Sequence, residues 1–275
     1  MRSLDEQTIL ITGATDGLGR GLASELAGRG ATVLVHGRDD RRGADAVEEI
    51  ISETQNERVR WYCADLASLE EVRDLAGRIE ADHERLDGLV NNAGIGTAEP
   101  GGGERVMSRD GHELRFAVNY LSGFLLTRLL VPLLSRSAPA RIVNVTSAGQ
   151  ASIDFDDLML ENRYDGLQAY CQSKLAQVML TFDLSEELRD QGITVNCLHP
   201  STYMPTKMVR AAGVKPASSL EDGIRSTVRL VADPELDLTT GVYFDREHES
   251  AAHSQAYDAA ARARLRDLSE RLAGF

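Results

Sequence analysis

Tyr170 and Lys174 stand four residues apart in Gly166–Asp190, a stretch whose apolar spacing reads as a helix. Both side chains then share one face, about 5–6 Å apart at Cβ. An ammonium beside a phenol favours the phenolate and draws its pKa from about 10 toward neutrality. Such a phenol can give or take the proton of a carbinol or carbonyl oxygen during hydride transfer with a nicotinamide. The same spacing also arises as an ordinary surface pair on an amphipathic helix. Two features speak against that. The pair follows by about one helix a strand that ends at Ser147. It also uses one of only three lysines (Lys174, Lys207, Lys215) in a chain with 27 arginines. A compact ammonium can reach a phenol and a ribose together, and a guanidinium fork is no simple substitute. Tyr164, the nearest competing phenol, has no lysine four residues on and reads as a loop residue.

A second signal lies near the start, where Thr8–Ile11 runs into Thr12-Gly13-Ala14-Thr15-Asp16-Gly17-Leu18-Gly19 and then a helix. In a strand-to-helix turn, one glycine permits the tight turn, one lets backbone approach a pyrophosphate, and one lets helix pack on strand. An ordinary βα turn is the plain alternative, but the position, after the first strand, favours a nucleotide.

The elements that must carry these groups alternate. Thr8–Ile11, Thr32–His36, Val59–Cys63, Leu89–Asn91, Ile142–Thr146, Thr194–Leu198 and Val242–Phe244 read as strands, mostly continuous apolar runs suited to a sheet covered on both faces. Helical patterns occupy Leu18–Gly28, Arg41–Glu53, Leu69–His83, Gly111–Leu134, Gly166–Asp190, Leu220–Val231 and Gln255–Arg271. The expectation is an α/β chain, 1–275, forming a single doubly wound domain with a parallel sheet of about seven strands and helices on both faces. The least regular stretches are Gly96–Arg109, with the run Gly101–Gly103, then Ala151–Asp165 and Ser201–Ser219. All three are expected to wall a pocket.

Composition removes other classes. A net charge of −13 repels phosphate backbones and anionic membranes, so nucleic-acid binding is not expected. Cys63, Cys171 and Cys197 are scattered in apolar segments, as core thiols of a reducing compartment. The six histidines form no HxxxH or HExxH pair, so no metal site is expected. Leu121–Leu134 is too short and too interrupted, by Arg128 and Pro132, to span a bilayer. No signal peptide is evident at Met1, so a cytoplasmic location is expected.

The GxxxGxG turn and Tyr-x-x-x-Lys, with three further segments in order, resemble the short-chain dehydrogenase/reductase family over essentially the whole chain. Asp65-Leu66 follows the third strand, Asn91-Asn92-Ala93-Gly94 ends the fourth, and Asn119 lies on the next helix. The resemblance implies a Rossmann fold and an NAD(P)-dependent oxidoreductase interconverting an alcohol with a ketone or aldehyde, with Tyr170 as general acid/base. It also implies that Lys174 binds the nicotinamide ribose, that Ser147 bonds the substrate oxygen, and that Asn119 holds a water in the proton relay. Cofactor contacts are carried over to Gly13, Thr15, Asp16, Gly17, Leu18, Gly19, Asp65, Leu66, Asn92, Ala93, Gly94, Tyr170, Lys174 and Pro200. Relatives of this kind often pair through the helices corresponding to Gly111–Leu134 and Gly166–Asp190, as homodimers or homotetramers. Alternatives are reduction of a conjugated double bond and a non-catalytic dinucleotide-binding regulator.

The chain departs from the common pattern. Ser147 and Tyr170 lie 23 residues apart, so Ala151–Asp165 carries an insertion, as in retinol-dehydrogenase-like and protochlorophyllide-reductase-like branches. Its Phe155, Leu158, Met159 and Leu160 could wall a pocket or pack on their own domain. Pro200-Ser201 replaces the family's Pro-Gly, leaving Thr202 or Thr206 to meet the carboxamide. After the second strand the chain reads Gly37-Arg38-Asp39 rather than placing an acid at the strand's end. Arg38 can hold a 2′-phosphate, so NADP is preferred over NAD, against the opposing charges of Asp16 and Asp39.

Overall fold

The computed structural model describes every residue except Glu99 and Gly102, so the middle glycine of Gly101–Gly103 lies outside the described residues. The strands are β1 Thr8–Ile11, β2 Thr32–Gly37, β3 Val59–Cys63, β4 Gly88–Asn91, β5 Ala140–Val145, β6 Ile193–His199, β7 Tyr243–Asp245 and β8 His248–Glu249. They form one sheet in the order β3-β2-β1-β4-β5-β6-β7-β8. Seven are parallel; the eighth, unforeseen in the sequence, is two residues paired antiparallel to β7. β1 and β5 are buried along their whole length, as strands covered on both faces must be.

Alternation along β1 divides the core. Ile9 and Ile11 face a cluster built by Leu22 and Leu26 of α1 (Gly17–Gly28), Ile50 of α2 (Asp40–Thr54) and Val228 of α8 (Leu220–Ala232). Leu10 faces the other cluster, built by α3 (Leu69–Asp82), the long helix Leu114–Ser137, and α6 (Gly166–Glu187). The strand order reverses between β1 and β4, and a crevice opens beyond their C-terminal ends, where doubly wound sheets bind ligands.

Two departures from regularity matter. The helix Leu114–Ser137 is α-helical at α4 (Leu114–Phe116), takes a π turn over Ala117–Leu121, and resumes as α5 (Ser122–Ser137). π-Bulges collect at functional sites, and this one contains Asn119. By length and composition the helix could cross a membrane, but Phe124, Leu125, Leu126, Leu130, Leu133 and Leu134 are buried in the core. The second departure is α9 (Ala259–Ala273), which buries a stripe of Ala261, Leu265, Ser269 and Ala273. It lies against α6 and the π turn: Ser269 shares a 2.7 Å hydrogen bond with Tyr120, and Arg266 pairs with Asp183 at 2.6 Å. Burying Leu265 alone contributes about 1.5–3 kcal/mol.

The inserted segment packs on its own domain. Ile153, Leu158 and Leu160 are buried in the core, and Phe155 and Met159 pack against it. None of the residues 151–165 lines the crevice, so the expectation that Ala151–Asp165 walls the pocket is corrected. Burial of these apolar side chains in the core draws the segment away from the crevice.

Candidate active site

The turn after β1 is held by backbone geometry that leaves no room for side chains. Gly13 and Gly17 adopt φ of +67° and +54°. A Cβ on Gly13 would lie 2.8 Å from Ala93 Cα, and one on Gly19 would lie 2.4 Å from the Gly13 carbonyl oxygen. Asn92 fastens the turn from β4: its Nδ2 donates to the Thr12 carbonyl at 2.8 Å, and the Thr12 hydroxyl accepts the Asn92 and Ala93 N–H groups at 3.0 Å. His36, read in the sequence only as the end of the second strand, fastens it from β2. Its Nδ1 accepts the Gly13 N–H at 3.3 Å, and its Nε2 donates to the Ala64 carbonyl at 3.1 Å. The side chain is buried, and burial pushes its pKa down to about 4, which keeps the ring neutral.

A cleft of about 720 Å³ runs from this turn to the ends of β5 and β6. Gly13, Thr15, Asp16, Gly17, Leu18 and Gly19 line one end, with Arg38, Asp65 and Leu66. Asn92, Ala93 and Gly94 line the middle; Ser147, Tyr170, Lys174, Pro200 and Thr202 line the far end. The structure therefore brings all of the expected residues but one to a single cleft. Asn119 stands one layer behind, 2% exposed. Its Oδ1 accepts the Ile95 N–H at 2.8 Å, and its Nδ2 donates to the Ile95 carbonyl and the Ser173 hydroxyl. It thus fixes the backbone next to Gly94 directly.

Lys174 is 3% exposed and donates to the Val145 carbonyl at 3.0 Å and to Gln177 Oε1 at 2.8 Å. Burial drives its pKa down to about 7. Its Nζ lies 5.8 Å from the centroid of the Tyr170 ring. Burial pushes the Tyr170 phenol above its ordinary value, while a hydrogen bond with Ser147 pulls the other way. The expected lowering of this phenol by Lys174 is not seen in this arrangement: the ammonium donates to the Val145 carbonyl and Gln177, and the net direction at Tyr170 is upward. The Ser147 hydroxyl is itself held by the Gly149 N–H at 3.0 Å.

The competing hydroxyls have other work. Tyr164 bonds to Arg115 and donates to Glu113 at 3.0 Å, a buried cluster whose Arg115 Nε holds the Gly96 carbonyl at 2.7 Å. Thr206 caps α7 (Lys207–Ala211), whereas Thr202 shares a 3.1 Å hydrogen bond with His199. The opposing acids are also engaged. Asp39 caps α2. Asp16 caps α1 and pairs with Lys207 at 2.9 Å and Arg42 at 3.4 Å. Burial works against ionisation of Asp16, but Lys207, the Gly17 N–H and Arg42 hold its carboxyl below the usual value. Arg42 reaches the cleft from the first turn of α2 and was not singled out in the sequence.

A glycine cradle shaped for a pyrophosphate, continuous with a Ser-Tyr-Lys group, defines a nucleotide-dependent oxidoreductase. The family model for short chain dehydrogenases matches residues 7–216, and the chain belongs to that family. It is 38% identical to mouse retinol dehydrogenase 13, over 98% of this chain and 84% of that protein. It is 35% identical to human retinol dehydrogenase 14, over 98% and 87%. Among solved structures, a protein from Mycobacterium paratuberculosis superposes with a TM-score of 0.79 at 30% identity, covering 100% and 96% of the two chains. A short chain dehydrogenase from Shigella flexneri, solved with NADP, superposes with a TM-score of 0.71 at 29% identity, covering 90% and 99%. The protein is accordingly an NAD(P)-dependent oxidoreductase acting between alcohols and carbonyl compounds.

Proposed function

We propose that the chain, working as one domain, interconverts an apolar alcohol and its aldehyde or ketone with NADP as preferred cofactor. The observation that carries this reading is the convergence of Ser147, Tyr170 and Lys174 in the cleft that begins at the glycine turn. Leu167, Tyr203, Met208 and Val214 add apolar walls to this cleft. Leu167 and Tyr203 are exposed at its mouth. The retinol dehydrogenases among the relatives are named for a long apolar alcohol, the substrate class such walls suit.

Bound nicotinamide would supply the hydride for reduction or accept it in oxidation. Ser147 would hold the substrate oxygen by hydrogen bond, and Tyr170 would give that oxygen its proton or remove it. The Lys174 ammonium would stabilise the phenolate that results. Asn119, through Ile95, would keep Gly94 and the adjoining wall in place.

Arg38 and Arg42 would hold the 2′-phosphate at the adenosine end. Arg38 is exposed on the cleft and has no ion-pair partner among the described residues. The two opposing carboxylates are engaged elsewhere: Asp16 is offset by Lys207 and Arg42, and Asp39 caps α2. Cofactor consumption by wild type and Arg38→Ala, across apolar alcohols and aldehydes with NADPH and NADH, tests this reading. A charge-assisted bond of about 1.5–3 kcal/mol predicts a roughly tenfold or greater loss of kcat/KM for NADPH alone. A wild-type preference for NADH, or an NADPH preference that survives the substitution, would overturn it.

A cytoplasmic setting fits the three free thiols and the packing of 114–137 inside the core. Assembly as a homodimer or homotetramer through α5 and α6 is tested by light scattering, where a mass near 30.0 kDa at micromolar concentration would reject it.

A further inference from the structure

We propose, building on the reading of Lys174 as the catalytic ammonium, that Gln177 is a positioning residue that holds this lysine through a neutral acceptor. Lys174 Nζ has two acceptors, the Val145 carbonyl and Gln177 Oε1 at 2.8 Å. Gln177 is itself 3% exposed and sits one helical turn along α6. The groups near the ammonium are otherwise Tyr170 on α6, Gly94, and Asn119 on the π turn. No carboxylate is among them, and burial lowers the lysine's pKa. The backbone of Gln177 is fixed from below as well: its carbonyl accepts the Thr181 hydroxyl at 2.8 Å, and that hydroxyl accepts from Asn144 Nδ2 at 2.9 Å.

The chemistry of the amide explains its presence. An apolar side chain here would leave the ammonium one acceptor, and burial would then favour its neutral form. A carboxylate would keep the ammonium charged but cancel much of the field it directs at the Tyr170 phenol. The neutral acceptor orients the charge without cancelling it.

Three lysines make a direct test practical. In protein carrying lysine labelled with carbon-13 at Cε, Lys207 and Lys215 are exposed internal references, and Lys174 gives the remaining signal. A pH titration by NMR is run on wild type, Gln177→Met and Gln177→Glu. The Lys174 transition should move down by about one unit in Gln177→Met and up by about one unit in Gln177→Glu, with the references unmoved. The ionisation limb of kcat/KM should move in the same directions. If Gln177→Met does not fold, the nearly isosteric Gln177→Glu decides alone. A Lys174 transition that stays at the wild-type position in the folded variants would overturn the role of Gln177. Because the titration needs no turnover, a wild type inactive on every alcohol and carbonyl would instead overturn the catalytic reading of Lys174.

Discussion

The glycine turn and the segment 201–219 face each other across one cleft and are held in different ways. The turn is fixed by buried contacts from three strands: Thr12 at the end of β1, His36 on β2 and Asn92 beyond β4. Two of its glycines could not carry a Cβ without backbone collision. The opposite segment contributes Tyr203, half exposed, and a five-residue helix with no buried residue. It meets the turn through contacts such as Lys207 with Asp16, both well exposed, and Thr206 against Gly17. The invariant part of the task, holding a dinucleotide, thus rests on an over-determined frame. The part proposed to admit a substrate rests largely on surface contacts of low individual worth.

This contrast can be broken or sharpened by substitution. The largest effect is expected next to the chemistry. Lys174→Arg should lower kcat by at least roughly 10², because a guanidinium cannot occupy the pocket between Val145, Gln177 and Tyr170. Steady-state kinetics reads this, and near wild-type turnover would refute the role. Gly19→Ala comes next. Its methyl would strike the Gly13 carbonyl and Asn92, costing about 1–3 kcal/mol and weakening cofactor binding. Thermal melts and a cofactor titration should show both losses together.

His36 predicts a smaller, pH-dependent effect on the same frame. Its folded pKa, about 4, lies below the unfolded value near 6.5, so the unfolded chain takes up the proton first. Stability should therefore fall as pH drops from about 6.5 to about 4. Urea midpoints across that window should decline less steeply in His36→Gln, and an unchanged slope would exclude the histidine. Lys207→Ala should be the mildest: an exposed ion pair is worth about 0–1 kcal/mol, so the melting temperature should barely move.

The sequence made legible what depends on local spacing. The glycine turn and the Tyr170–Lys174 pair each fall within a few neighbouring residues, and strand runs show the alternation of strand and helix along the chain. What it hid depends on which faces meet. His36 lies in an apolar run and looks like any core residue until β3 and the glycine turn are beside it. Arg42 reaches the cleft through the direction of the first turn of α2. Gln177 gains meaning from the burial of Lys174, and a π turn cannot be told from an α-helix by apolar periodicity. The insertion 151–165 offered apolar side chains without saying whether pocket or core would take them. In the fold, the core does.

The central claim is that cofactor binding and proton transfer reside in separable parts of one cleft. Tyr170→Phe tests it on a single preparation by measuring NADPH affinity and turnover together. The ring remains and only the hydroxyl is lost, so NADPH should bind as in wild type while kcat falls by roughly 10²–10⁴. Turnover near the wild-type rate, or loss of NADPH binding in a folded variant, would contradict the account.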